Sequence, residues 1–145
     1  MKHNLMKFGS ILLAAGTLAG CEYPSSLSEN GPAGTYNAII TLSTAGTVTT
    51  NHLADGGSFR LNLYNNGTTG GRLRLVASGG NPAIDADLTG TWTRSGDEID
   101  LTIAAGTFVN DMVFTLEQIT DQIWWLVGDQ VISGTRFEVR LAHDN

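Results

Sequence analysis

Between Ile84 and Ile103 apolar and polar residues change places at every second position, and this alternation restricts the chain more than any other feature. Ile84, Ala86, Leu88, Gly90 and Trp92 share one side of an extended strand, and Asp85, Asp87, Thr89 and Thr91 share the other. After Ser95-Gly96, Ile99, Leu101 and Ile103 alternate with Glu98, Asp100 and Thr102. A period of two belongs to a half-buried strand, and a slip of one residue would turn every apolar side chain to water. If Ser95-Gly96 is a two-residue turn with Arg94 opposite Asp97, then Trp92 faces Ile99, Gly90 faces Leu101 and Leu88 faces Ile103. All the apolar pairs then fall on one face of a hairpin.

The same test works upstream. Phe59, Leu61 and Leu63 alternate with Ser58, Arg60 and Asn62, and Leu73 and Leu75 alternate with Arg72 and Arg74. Both apolar sets have odd numbers, so the turn must hold an odd number of residues. Asn65-Asn66-Gly67 supplies three, with glycine where the backbone turns left-handed, and Phe59 then faces Leu73. Further strands are expected over Thr35 to Leu42, Phe108 to Gln118, Ile123 to Val127 and Thr135 to Ala142. No stretch after Ala19 sustains a helical period, and the 18 glycines with only 3 prolines suit strands and tight turns. Sequential hairpins with one apolar face each predict an all-β domain, a single antiparallel up-and-down β-barrel of about eight strands, since closure removes exposed edges. A two-sheet β-sandwich is the alternative.

The part before the domain reads differently. Lys2 and Lys7 precede an uncharged run from Phe8 to Ala19, a basic and then apolar sequence of the export-signal kind. That run is shorter than the roughly 20 residues of a spanning helix. Leu18-Ala19-Gly20-Cys21 follows and contains the only cysteine, so no internal disulfide can form. These four residues resemble the lipobox of bacterial lipoproteins. The resemblance implies cleavage before Cys21 and acylation of Cys21 with diacylglycerol and palmitate-type chains, which together anchor a protein stably where a single chain does not. Residues 1–20 are then a signal peptide, 21–33 a Ser-, Pro- and Gly-rich tether, and 34–145 the barrel domain. Glu22, where inner-membrane retention goes with Asp, favours the outer membrane of the cell envelope.

Gly34-Thr35-Tyr36, Asn65 to Thr68, Gly90 to Leu101 and Gly134 to Arg140 together resemble small bacterial lipocalin-like lipoproteins, with Tyr36 in the place where lipocalins carry a tryptophan. The resemblance implies a calycin-type barrel and brings no catalytic residues. After the expected cleavage six arginines remain against fourteen acids, a balance without general attraction for nucleic acid or anionic lipid. Asp85-Ala-Asp87 opens like a calcium loop, but position 12 is Gly96 instead of a bidentate Glu. Pairing of Asp85 and Asp87 with Arg72 and Arg74 on the next strand is the expected role. His52 and His143 stand singly, where zinc needs three or four ligands, and no nucleophile elbow or phosphate loop is present. No enzyme activity, metal or cofactor is therefore expected.

The expected function is that of a lipid-anchored binding module for a small apolar or amphipathic ligand. Tyr36, Phe59, Leu61, Leu63, Trp92 and Phe137 should line the interior, and Gly90, Ala86 and Ala38 should leave spare room. The alternative is a barrel filled by its own side chains that docks a partner through its outer face. Ile123-Trp124-Trp125-Leu126-Val127 is apolar on both faces, so one tryptophan must point outward. A three-residue Thr120 to Gln122 turn would pair Leu116 with Leu126, send Trp124 inward and leave Trp125 outside. Ile123, Trp125 and Val127 would then form a partner or membrane contact, unless the tether or the Ala45 to Gly57 segment covers them.

Overall fold

The computed structural model describes residues 32–77, 83–121 and 123–144; the expected signal, Cys21 and most of the tether lie outside these residues. The strands are β1 (Gly34–Ala45), β2 (Val48–Asn51), β3 (Ser58–Leu63), β4 (Thr68–Leu75), β5 (Ile84–Asp87), β6 (Gly90–Ser95), β7 (Glu98–Ile103), β8 (Val113–Gln118), β9 (Trp124–Ile132) and β10 (Thr135–His143). Eight of them pair antiparallel in the order β1-β3-β4-β6-β7-β8-β9-β10, and β10 returns to β1, from Tyr36 opposite His143 to Ala45 opposite Thr135. The sheet is thus closed into an eight-stranded antiparallel barrel, which settles the choice against a sandwich. At eight strands the interior is just wide enough for side chains. Tyr36, Phe59, Leu61, Leu73, Ile99, Phe114, Leu126 and Leu141 fill it and are all buried.

The two short strands extend the wall. Arg72 to Leu75 pair with Ile84 to Asp87, while Thr68 and Thr69 pair with Thr91 and Gly90. β5 and β6 are therefore one line along β4, broken at Leu88-Thr89, where a single strand was expected. Leu88 remains buried and its N–H donates to the Gly71 carbonyl at 3.1 Å. On the edge of β1 away from β10, Leu42 to Ala45 pair with β2 and Gly34 to Asn37 with β3. Between these pairings the chain makes an excursion through residues 52–57, and β1 shifts register against β10 between Ala38 and Ile40. This bulge changes which residues of β1 face inward: Tyr36 before it, Thr41 and Ser43 after it, with Ile39 left 46% exposed.

The Phe59 hairpin has the expected register, Phe59 opposite Leu73, with Gly67 at φ +80° and the Tyr64 N–H bonded to the Thr68 carbonyl. The second hairpin departs from expectation. Trp92 pairs with Leu101, Gly90 with Ile103 and Arg94 with Ile99, so the two-residue turn is Gly96-Asp97 rather than Ser95-Gly96. A shift of two residues keeps every side chain on its face. It also places glycine, φ +62°, first in the turn, so that Asp97 needs no left-handed backbone. In the third hairpin Leu116 faces Leu126 as expected, and Ile119 and Ile123 close a three-residue turn.

Two segments differ from their expected form. β9 continues to Ile132, five residues beyond Val127, because Gly128 makes room for Met112: a Cβ there would lie 2.3 Å from the Met112 sulfur. Phe108 to Asp111 form a 3₁₀ turn, not strand. Thr107 caps that turn, and the Asn110 side chain ties it back to Ile103 through bonds of 2.6 and 3.1 Å to its N–H and carbonyl. Phe108, Val109 and Met112 then plug the upper end of the barrel. At the lower end, where the chain enters, Tyr36 donates from its hydroxyl to the Pro32 carbonyl at 2.6 Å and meets the His143 ring edge-on at 5.1 Å. Gly34 suits this closure, since a Cβ would sit 2.1 Å from the His143 ring.

Gly90 is not spare room. A Cβ built on it would lie 2.0 Å from the Thr102 carbonyl oxygen, a backbone atom that cannot swing aside. Gly90→Ala should therefore lower unfolding free energy by about 1–3 kcal/mol. Gly128→Ala, which presses on the flexible Met112 thioether, should cost less; urea denaturation of both variants measures the difference.

Candidate functional site

The strand break between β2 and β3 opens a cleft in the barrel wall. The excursion is folded tightly: the His52 N–H donates to the Thr41 carbonyl at 3.0 Å, and the Gly57 N–H to the His52 carbonyl at 2.7 Å. Gly57 lies so close to its neighbours that a Cβ would be 2.6 Å from the His52 carbonyl oxygen and 2.7 Å from that of Arg74. Below this loop β1 and β3 separate, leaving a cleft of about 530 Å³ with Ala38, Leu53 and Phe59 among its apolar lining and Asn37, Ser58 and Arg60 among its polar lining. Arg72 reaches the same cleft but is engaged with Asp85 at 2.8 Å and Asp87 at 3.0 Å. Both carboxylates thus bond to Arg72, one of the two arginines expected for them, while Arg74 stands opposite Asp85 in the strand register.

A second cleft, about 460 Å³, lies at the upper mouth between the 3₁₀ turn and the β9–β10 turn. Phe137 and Phe108 stack there with ring centroids 4.1 Å apart and an interplanar angle of 2°, Ile132 completes the apolar side, and Ser133, Thr107 and Asn110 are among the polar lining. Of the six residues expected to line a ligand space, all face inward. Tyr36, Leu61, Leu63 and Trp92 are taken up by the packed core, and Trp92 also donates from its indole to the Tyr64 carbonyl at 2.9 Å. Phe59 lines the wall cleft and Phe137 the cleft at the mouth. Ala38, the third small residue thought to leave room, belongs to the wall cleft, and Ala86 is half-buried opposite Leu73.

Sequence reasoning missed a buried polar cluster. Ser43 Oγ and His52 Nε2 lie 2.7 Å apart, both almost without exposure, with Thr41 and Thr50 also buried. The missing signal was the bulge: without it Thr41 and Ser43 would have been read as outward. A hydroxyl beside an imidazole is the pairing of nucleophile and base, but here both groups are sealed within the wall, so the pair ties the excursion to β1. Nδ1 of His52 and Oγ1 of Thr41 are buried without a hydrogen-bond partner among the described residues. Burial holds the His52 pKa below its ordinary value, against smaller opposing effects from Asp55 and the Val76 carbonyl. Among the described residues no three His, Cys, Asp or Glu side chains converge on a metal position.

On the outer wall Trp125 stands opposite Glu117 and Ala142 and is half-buried, while Trp124, opposite Gln118, packs against the core. Ile123 is 37% exposed and Val127 half-buried on the same face as Trp125, with Ile119 exposed across the turn. The Ala45 to Gly57 segment does not cover this face, because it is bound to the edge of β1 away from β10. No protein-family description, curated protein or solved structure matches the chain, so its class, a closed eight-stranded antiparallel barrel, rests on the strand pairing itself.

Two measurements follow. The folded state favours neutral His52, so its stabilisation is complete above the ring's unfolded pKa near 6.5 and is lost as pH falls below that value towards the lower folded one. Unfolding free energy should fall from about pH 7.5 to about pH 5.5, and His52→Gln should flatten that slope. Separately, Trp124→Ala should lower stability by about 3 kcal/mol and Trp125→Ser by no more than about 1 kcal/mol. Equal, large losses in chemical denaturation would contradict the assigned faces.

Proposed function

We propose that the chain is a lipocalin-like lipoprotein of a bacterial envelope, anchored through acyl chains on Cys21, whose barrel binds a small amphipathic molecule without catalysing a reaction. The anchor is supported by the basic, apolar and Leu18-Ala19-Gly20-Cys21 sequence, and the outer membrane by Glu22. Binding is supported by one observation above the others: two core rings, Phe59 and Phe137, surface at the floors of clefts of about 530 and 460 Å³. Clefts of this size suit small-molecule sites, and barrel mouths are common places for them. The ligand is assigned to the clefts rather than to the barrel axis because Gly90 and Gly128, where space was expected or available, are closed by Thr102 and Met112.

A second reading, a partner docked on the outer wall of β8 and β9, is favoured by Ile119 and Ile123, both exposed and hydrogen-bonded to each other at the end of that hairpin. An apolar fluorescent probe separates the two. Saturable binding to the purified protein, weakened by Phe137→Ala or Phe59→Leu and untouched by Trp125→Ser, is the expected result; loss through Trp125→Ser alone would favour outer-wall docking. Cys21→Ser should move the protein from the detergent phase to the aqueous phase or leave it unprocessed.

A further inference from the structure

The charge arrangement at the wall cleft carries the reading of an amphipathic ligand further. Arg60 on β3 stands directly opposite Arg72 on β4, and like charges so placed repel. The charge of Arg72 is met by Asp85 and Asp87. The Arg60 guanidinium forms no hydrogen bond or ion pair among the described residues. Three arginines, 60, 72 and 74, thus share the outer face of β3 to β5 with two aspartates, a local positive excess in a chain whose formal charge is −6. That surplus guanidinium borders a cleft whose apolar lining is Ala38, Leu53 and Phe59. A planar guanidinium suits a bidentate oxyanion, and the apolar floor beside it suits a hydrocarbon chain.

We infer that the cleft at the β2–β3 break is a site for a single-chain anionic amphiphile, its headgroup on Arg60 and its chain on Ala38, Leu53 and Phe59. Asn37 and Ser58 offer further hydrogen bonds to the headgroup, although the Asn37 amide also donates to Asp144 at 3.3 Å. Only an occupant joining a negative head to an apolar tail answers both halves of the cleft. A free anion leaves the floor wet, and a cationic amphiphile meets Arg60 with like charge. The inference rests on the binding function proposed above and selects one of its two clefts.

The test titrates the purified full protein in zwitterionic nanodiscs with octanoate, acetate and octyltrimethylammonium, following the Leu53 methyl and Arg60 Nε–H resonances by NMR. Octanoate should shift both saturably, and acetate and the cation should not. Arg60→Gln should weaken octanoate binding at least tenfold with an unchanged melting temperature, Arg60→Lys, which keeps the charge without the planar fork, should weaken it less, and Leu53→Asn should weaken it independently of the charge. Equal binding to Arg60→Gln, or acetate binding as tightly as octanoate, would overturn the site. Saturable octanoate shifts at Ile132 with Leu53 silent would overturn it while keeping the binding function at the mouth; no saturable shift anywhere would remove both.

Discussion

The pairing of the first strand with the last is the constraint on which the rest of this molecule depends. β1 and β10 are separated by the whole domain in sequence, yet they run together from Tyr36 and His143 to Ala45 and Thr135. Bringing them together costs chain entropy that only the completed barrel offsets. Once joined, no strand of the eight is left with a full open edge. A single β1 must also serve two partners on its other side, β2 above and β3 below. The bulge at Ala38 to Ile40 and the excursion through residues 52–57 follow from that demand, and the wall cleft follows from them.

Packing inside the wall explains why function is sought at its openings. Tyr36 and His143 close the lower end, and Phe108, Val109 and Met112 close the upper one. Between them glycines admit neighbouring backbone or a methionine side chain rather than ligand space, as Gly90 does for Thr102 and Gly128 for Met112. A cluster of polar groups enters the interior where β1 changes parity, and there Ser43 Oγ and His52 Nε2 meet across the seam between β1 and the excursion. The clefts lie where regular pairing stops: one where β1 passes from β3 to β2, the other where the 3₁₀ turn meets the β9–β10 turn.

The strands were legible because their alternation is covalently local. Phe59 opposite Leu73, Leu116 opposite Leu126 and Asp85 with Asp87 beside Arg72 could all be read from parity and turn length. Parity cannot tell registers two residues apart, so the Trp92 hairpin was placed one step wrong while its faces were right. Nor does parity foresee a bulge. Thr41 and Ser43 were invisible as inward residues, and His52 had no visible partner, because one extra residue at Ile39 decides both. The clefts depend on where pairing ends, which is a property of the assembled sheet; Phe59 and Phe137 were named as lining residues, but Arg60 and Leu53 were not.

The central claim is that the closed barrel is filled by its own side chains, which is why the proposed binding of small molecules falls to breaks in its wall. Leucine methyl NMR of the protein under xenon pressure tests it most directly, since xenon enters apolar cavities without needing a headgroup. The account predicts shifts for Leu53 at the wall cleft and none for Leu61, Leu126 and Leu141 along the axis. Saturable shifts of those three axial leucines would reveal a hollow interior and contradict it.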